Sequence, residues 1–530
     1  MNQAHPNTLT RGQKLWNRLR DLRDTQPLSL NRGRLITAAF QDTEGYPIFR
    51  RRSYALNKIL TEIPIYIDED QLLVGDFGSQ PMCAEWNPEF AVDWALDELR
   101  KGIYPDGLGE SEGREMLEIC NYWKDRSAKE TFAKYWGAEN FQNILRYGEK
   151  GANVFNAGME AGTEKGWLVA NYKKPITLGF RGMIDQIDSE LQELQVLDDR
   201  DMHKENLLLA MKECLESVIR YAHRYAALAG KLAEQQTDEQ RRRELLLIRD
   251  NCLNVPEFPA RTFHEAVQCM WFCHVAEFWD TRGVGISFGR VDQYLWPYYK
   301  QDTDSGLIDR EFATQILECF RIKLSALRYF NASYVRAQTS GETQFHNCTL
   351  GGVDSKGQDA VNELSFVWLD AAERVQSPHP TLSIRWHERI DQKVLRRGME
   401  IVKLGVGYPA FFNDRSSIEF LLSNGIPLDE ARDYALGGCV LSVPQGTTGI
   451  TIPAGMIVPK ILEITLNNGV DPRTGYDLGL HLGSLPDFET FEQLFDALNQ
   501  QIANFVRLSS NYSTRVRIHR AAFCPDVFLS

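Results

Sequence analysis

From residue 283 onward, short apolar runs bounded by glycine or proline alternate with helical periods, and this alternation constrains the chain more than any other feature. Residues 283–289 (Gly-Val-Gly-Ile-Ser-Phe-Gly), 345–352, 381–386 and 408–412 read as short strands. Residues 309–327, 358–374, 391–404, 415–423 and 428–436 carry the apolar spacing of helices. Repeated strand–helix pairs predict βα units closing on a parallel sheet or barrel, because a parallel neighbour is reached only through a crossover. Helices are expected again over about 457–468 and 488–512, and a strand-like, half-apolar tail over 515–530. A tail of that kind reads as one that another segment covers, or as the sign of a missing portion.

The first half is mainly helical. Leu207, Leu208, Met211, Leu215, Val218, Ile219 and Ala222 fall at helical spacing within 203–235. Thr237-Asp-Glu-Gln240 predicts a capping box ahead of Leu245, Leu246, Leu247 and Ile248, and Pro256 ends that helix near Val255. Thr262-Phe-His-Glu265 predicts a second box, opening an apolar helix through Trp271 and Phe278. Length alone suggests about three domains. No linker or repeat divides the chain, however, and an apolar content of 43% suffices for one large interior. The expectation is therefore one unit over 1–530, with a helical layer over about 1–280 and a βα barrel portion over about 281–530.

Charge and cysteine usage exclude several classes. Against 59 Lys+Arg stand 72 Asp+Glu, a net charge of −13 without a basic stripe, so a nucleic-acid partner is not expected. The 10 cysteines are scattered with no Cys-x-x-Cys pair, the pattern of reduced intracellular thiols. Residues 1–23 are polar and charged, unlike a signal peptide, and no run of about 20 apolar residues predicts a membrane span. The expected location is cytoplasmic and the expected ligand a small molecule.

Within residues 434–446, Tyr-Ala-Leu-Gly-Gly-Cys-Val-Leu-Ser-Val-Pro-Gln-Gly, two glycines lead into Cys439. A thiolate nucleophile needs a cation, a histidine or a helix N-terminus to lower its pKa. The neighbours of Cys439 are Leu436, Val440, Leu441 and Val443. Such surroundings suit a neutral sulfur species, and a thiyl radical, which abstracts hydrogen atoms best in a dry cavity, is neutral. Gly437 and Gly438 allow backbone angles that a bulky residue resists.

A series of ordered phrases then resembles the glycyl radical enzymes of the pyruvate formate-lyase superfamily. They include Glu62-Ile-Pro-Ile-Tyr-Ile-Asp-Glu-Asp-Gln-Leu-Leu-Val-Gly75, Ala84-Glu-Trp-Asn-Pro-Glu89, Pro259-Ala-Arg-Thr-Phe-His-Glu-Ala266 and Gly289-Arg-Val-Asp-Gln293. Cys348-Thr-Leu-Gly-Gly352, Pro380-Thr-Leu-Ser-Ile-Arg-Trp-His387, Gly407-Tyr-Pro-Ala-Phe-Phe-Asn-Asp414, Gly437-Gly-Cys-Val440 and Pro459-Lys-Ile-Leu-Glu-Ile-Thr-Leu-Asn-Asn-Gly469 follow. The resemblance implies an α/β fold, a helix-wrapped ten-stranded barrel of two half-barrels, incomplete here at the C-terminus. It implies that Cys439 is the hydrogen-abstracting cysteine. No cofactor is then permanently bound; a separate S-adenosylmethionine/iron–sulfur activating enzyme installs a glycyl radical. A homodimer is also implied.

Two departures qualify that implication. The family's Arg-Val-x-Gly-aromatic loop is absent, since Arg290-Val and Arg374-Val continue as Asp-Gln and Gln-Ser. The chain is thus expected to lack the glycine radical domain and to be inactive alone. A glycine-loop subunit acting in trans, or a non-catalytic remnant, are the alternatives. Second, eliminating members carry a glutamate two residues after the cysteine, where this chain has Leu441, and pyruvate formate-lyase has adjacent cysteines, where this chain has Gly438. Dehydratase and formate C-acetyltransferase chemistry therefore rank below radical addition to an alkene or decarboxylation of an arylacetate. Trp86, Phe345 and Phe411 are then expected as aromatic walls beside Leu441, with Arg385 and His346 holding a carboxylate.

Other candidates read as structural. Cys269, Cys273 and His274 lack a fourth metal ligand and lie on an apolar helix. His264 is expected as a surface or capping residue, Asp292 as a strand-end hydrogen-bond partner, and Arg385 equally as a member of an ion pair. A ligand role for His379 or His387 is the minor reading. Residues 283–289 match no phosphate loop.

Overall fold

The computed structural model describes residues 9–22, 28–101, 108–157, 166–281, 284–330, 344–446 and 455–525. Among them, β1 (Leu28–Ser29) pairs in parallel with β2 (Ala84–Glu85), and Glu85 bridges to Tyr329. The main feature is a parallel arc. β3 (Gly166–Val169) pairs with β4 (Val284–Ser287), and a bridge from Gly289 to Cys348 joins β4 to β5 (Asn347–Gly351). β6 (Thr381–Trp386) and β7 (Ala410–Asn413) continue it.

Helices Arg310–Ser325, Glu363–Val375 and Gln392–Val402 connect or flank these strands, so the βα reading holds. Chain order along the arc is sequential, as repeated crossover units require. The antiparallel hairpin β8 (Tyr434–Gly437) and β9 (Leu441–Pro444) lies across one face of the arc. The expected helix over 428–436 is therefore shorter, Leu428–Arg432, because Tyr434 to Gly437 pair with Pro444 to Leu441. Of the tail expected as strand-like over 515–530, residues 515–523 are helical instead, as Phe491–Phe523 runs past 512, with Tyr512 and Val516 packed into a core with Phe132 and Phe505; residues 526–530 lie outside the described residues.

Alternation along the strands sorts side chains onto two faces. Cys348, Leu350, Leu382 and Ile384 enter the main hydrophobic core, where Gly398 of the helix Gln392–Val402 lets Ile384 and Phe411 approach closely. Asn347, Thr349, Thr381, Ser383 and Arg385 occupy the opposite face. The N-terminal helical layer includes Asp199–Gln235, opened by a capping box between Asp198 and Asp201. Helix Glu239–Asn254 is capped by Asp238 and not by Thr237, since Asp238 accepts from the Arg241 amide at 2.7 Å; Val255 follows its end, ahead of Pro256.

The helix Phe263–Thr281 carries Met270, Trp271, Phe272, Phe278 and Trp279, all excluded from solvent, into the centre of the molecule. Thr262 caps it through the Glu265 amide at 3.2 Å, but the Glu265 carboxylate turns to Arg261. Gln268, a polar residue in that core, is satisfied by both the N–H and the carbonyl of Val74 at 2.9 and 2.7 Å. His264 is buried, contrary to the surface expectation: its Nε2 lies 2.9 Å from the Leu72 carbonyl, and burial lowers its pKa to about 4. An exposed position would have left Leu72 O without this partner in a dry interior.

Candidate active site

Cys439 occupies the turn between β8 and β9. It is exposed, and every other cysteine of the chain is buried. Gly438, with φ +58°, turns the backbone, and a Cβ there would overlap the Trp167 ring. Both the left-handed angle and the close approach call for glycine. The Gly438 N–H donates to Ser287 Oγ at 2.9 Å, and the Leu436 N–H donates to Thr349 Oγ1 at 3.0 Å.

These hydroxyls belong to a polar ladder across the arc. Asn347 donates to Ser383 Oγ at 2.7 Å and Thr381 Oγ1 at 3.2 Å, while Ser287 Oγ accepts from the Asn347 N–H at 3.2 Å. The hairpin is thus fastened by buried hydroxyls at β4 and β5, its feet by Arg290–Asp433 at 2.8 Å and by Gln445, which accepts from the Arg290 N–H. Beneath the turn, the Trp167 and Phe345 rings pack at a tilt of 32° with centroids 5.3 Å apart. Both have positive φ, +61° and +56°. Left-handed angles at bulky residues cost about 1–3 kcal/mol each and mark sites where the surroundings impose the geometry.

Partial burial raises the Cys439 thiol pKa, opposed by a backbone hydrogen bond. Among the described residues no cation contributes to lowering it, which favours S–H at neutral pH. Its exposure does not match the enclosed cavity expected from its apolar neighbours: Leu436 and Val443 are buried, but Val440 is 56% exposed. The physical reason is local. Leu436, paired with Ser442, packs with Tyr434, Leu421 and Ala431 on one face of the hairpin, and Val443, paired with Ala435, packs with Val169 on the other, so the apolar neighbours are buried away from the turn 438–440 and not around the sulfur.

The other expected site residues divide by face. Phe345 is half-buried beneath the turn, and Leu441 opens β9 opposite Gly437. Arg385 lies on the hairpin face but is fully buried and committed. It donates to Asp414 at 2.7 and 2.9 Å and to the carbonyls of Tyr434 and Arg432, with its guanidinium 3.9 Å from the Tyr434 ring centroid. The ion-pair reading replaces carboxylate binding. His346 points the other way, into the helix-facing core, with Nδ1 2.9 Å from the Ile286 carbonyl and its ring edge-on to His274. Burial pushes its pKa down to about 3, so it carries no charge for a carboxylate.

Phe411 also faces the helices, since register pairs it with Ile384 while Phe412 pairs with Arg385. Trp86 is buried near Gly33 and Trp94 and forms no wall of this turn. Asp292 is the expected hydrogen-bond partner, accepting from the Gly351 amide at 2.8 Å and from Ser365 and Gln293. Cys269 and Cys273 pack in the core, His379 is buried, and His387 meets Asp359 at 3.2 Å. Sequence reading missed Trp167, Ser287 and Thr349. The first was hidden in a four-residue strand of the helical half, and its only signal is the Trp-Leu-Val run after Gly166.

The family model described as "Pyruvate formate lyase-like" matches residues 8–530. The trans-4-hydroxy-L-proline dehydratase of Clostridioides difficile is 30% identical over 501 residues, covering 90% of this chain and 60% of that protein. The indoleacetate decarboxylase of Tractidigestivibacter scatoligenes is 30% identical, covering 91% of this chain and 58% of that protein. Among solved structures, the glycerol-bound B12-independent glycerol dehydratase from Clostridium butyricum superposes with a TM-score of 0.91 at 29% identity, over 100% of this chain and 66% of that one. A glycyl radical enzyme from Archaeoglobus fulgidus gives 0.89 at 30% identity, over 98% and 66%. This chain therefore spans about three fifths of the length of the curated relatives it matches. The arc of β3 to β7 is accordingly part of a pyruvate formate lyase-like α/β barrel.

Proposed function

The chain belongs to the pyruvate formate lyase-like family of glycyl radical enzymes, and on that premise we propose that it forms the main body of such an enzyme. In this reading Cys439, as a thiyl radical, takes a hydrogen atom from a small organic substrate, and the substrate radical cleaves or forms a C–C or C–X bond. The abstraction balances in itself: the substrate C–H bond breaks, the S–H bond forms, and a carbon radical remains. The observation that carries the reading is the placement of Cys439, the exposed cysteine, on a turn that Gly438, Trp167 and Ser287 hold in one geometry. Hydrogen-atom transfer needs near contact and fixed orientation, which such a turn supplies. A thiol held neutral also suits it better than it suits nucleophilic attack.

Radical equivalents would come from a glycyl residue activated by a separate S-adenosylmethionine/iron–sulfur enzyme. The exposure of Cys439 supports further polypeptide closing over the turn, whether on the same chain or on a second subunit. Among the described residues, Trp167 and Phe345 are placed to line a substrate there, and both favour a flat or apolar one. Leu441 in place of a carboxylate favours addition or decarboxylation over base-assisted elimination. Relatives at similar identity include both a dehydratase and a decarboxylase, so the substrate class rests on these residues.

The test is Cys439→Ala in the activated, complete enzyme. Turnover of arylacetates, of fumarate with toluene-like hydrocarbons and of small diols is expected to vanish, while the glycyl radical signal in electron paramagnetic resonance persists. Retained turnover would refute the role of Cys439.

A further inference from the structure

The hairpin that carries Cys439 is tied unequally along its two strands. β8 is fastened at alternate residues. The Tyr434 carbonyl accepts from Arg385 at 2.8 Å, and the Leu436 and Gly438 N–H groups donate to Thr349 and Ser287 at 3.0 and 2.9 Å. Among the described residues, β9 has fewer polar ties to the rest of the molecule. Ser442 Oγ donates to Ser417 Oγ at 3.0 Å, and beyond the strand the Gly446 N–H donates to the Val169 carbonyl at 2.9 Å. The ladder between the two strands closes with Tyr434 opposite Pro444, and proline has no N–H to give it.

One side chain takes over where the ladder stops. In the next position, Asp433 opposite Gln445, the Gln445 Nε2 donates to the Asp433 carbonyl at 3.0 Å. Gln445 Oε1 accepts from the Arg290 N–H at 2.8 Å, and Arg290 Nη1 donates to Asp433 Oδ1 at 2.8 Å. The three residues form a closed ring that holds both feet of the hairpin to the end of β4. Arg290 is buried and donates through Nη2 to the Gly351 carbonyl at 2.8 Å, so the ring is anchored in the arc. Gly289 makes room for it: its φ is +72°, and a Cβ there would overlap the Gln445 amide oxygen. The short segment 287–290 thus grips the hairpin twice, at the turn through Ser287 Oγ and at the feet through the Arg290 N–H. The demand at position 445 is specific. It needs an acceptor toward Arg290 and a donor toward Asp433 at once, which a carboxamide of this length supplies and a carboxylate or a thioether does not.

We propose that Gln445 is a positioning residue for hydrogen transfer at Cys439. It locks the feet of β8 and β9 in register, and a slip at the feet is carried along two short strands to the turn. This rests on the reading of Cys439 as the abstracting sulfur; Gln445 acts through the hairpin and not on the substrate.

The position of the sulfur can be read directly, because Cys439 is the exposed cysteine and takes a nitroxide label. A second label goes on Arg396→Cys, an exposed position of the helix Gln392–Val402, and the distance distribution between the two is measured by pulsed electron paramagnetic resonance on the full chain. Gln445→Glu keeps the shape and the acceptor but sets an oxygen against the Asp433 carbonyl; Gln445→Met keeps the length and makes neither bond. Both should shift or broaden the distribution with the urea midpoint nearly constant, since Gln445 is only half-buried. In the complete, activated enzyme both should lower kcat at least about 10-fold with KM within about 2-fold of the parent. A parent-like distribution in both variants, an unchanged kcat, or a loss carried by KM alone would each overturn the proposal. Because the labels report the sulfur whether or not it carries a radical, a parent-like distribution counts against Gln445 alone, whereas retained turnover in Cys439→Ala counts against the reading on which the proposal rests.

Discussion

Across β5 and β6, one face of the sheet meets helices and the other meets the hairpin. The helix face is Cys348, Leu350, Leu382 and Ile384, apolar and dry. The hairpin face is Asn347, Thr349, Thr381, Ser383 and Arg385, equally buried for the most part but hydrogen-bonded throughout. The two faces stabilise differently. Apolar burial is non-directional and tolerates small shifts, whereas buried polar groups are favourable only in the geometry that satisfies all of them. A sheet that holds a hairpin turn in one geometry gains from having its second face built the second way.

The strongest way to break this comparison is Asp414→Ala. It strands the Arg385 guanidinium in the interior and removes the acceptor of the Tyr434 hydroxyl and the Val353 amide. Breaking a buried pair from one side costs about 3–5 kcal/mol, against a near-neutral cost for replacing both partners by apolar residues. Urea unfolding should therefore show a large loss for Asp414→Ala and recovery of most of it in the double variant Arg385→Met/Asp414→Leu. A loss below about 1 kcal/mol in the single variant would mean that solvent reaches the hairpin face and that the contrast between faces is unreal.

A smaller effect separates the faces by pH. His346, on the helix face, has its pKa pushed down to about 3 by burial, against about 6.5 when unfolded. The folded state keeps it neutral, so its contribution is present above about pH 6.5 and is lost as pH falls toward 3. Between pH 7 and pH 5 this amounts to about 2 kcal/mol. Glu85 and Glu318, raised to about 7 by burial, act in the opposite sense, gaining stability over the same fall. His346→Phe should therefore shrink the acid-induced loss of stability by about that amount relative to the parent chain. An unchanged slope would show that His346 is solvated and does not belong to the dry face.

This contrast also explains what was legible in the chain. Strand positions were readable, because Thr381–Trp386 and Ala410–Asn413 are bounded by proline and by helical periods. Which side each residue faces was not. A strand buried on both faces lacks the polar–apolar alternation that fixes parity, and a one-residue slip exchanges the faces. Phe411 reads as a wall, whereas Phe412 shares the face of Arg385, and the neighbours Phe345 and His346 read as sharing one site, whereas His346 turns to the helices. The loop that carries Cys439 was legible because Gly437 and Gly438 precede it and allow backbone angles that a bulky residue resists. The same glycines end β8, which helical periodicity through Leu436 had concealed. Trp167 was illegible for another reason: its role comes from contact with Gly438, far away in the chain, and no local pattern encodes that.

The finest test acts on the hairpin alone. Ser287→Ala removes the acceptor of the Gly438 N–H and one anchor of Asn347, while leaving the helix face untouched. A single neutral hydrogen bond is worth about 1 kcal/mol, so global unfolding should move little. The turn should loosen more than the fold does, because Gly438 N–H is tied to the arc at that point and Trp167 only blocks one direction of movement. Cys439 is the exposed thiol, so its rate of alkylation reports the turn directly. Ser287→Ala should change that rate several-fold with the unfolding midpoint nearly constant, whereas Leu382→Ala should do the reverse, lowering stability by about 2–5 kcal/mol with little change in alkylation. If both variants shift the two readouts together, the faces are energetically one unit and the hairpin is no better fixed than the core beneath it.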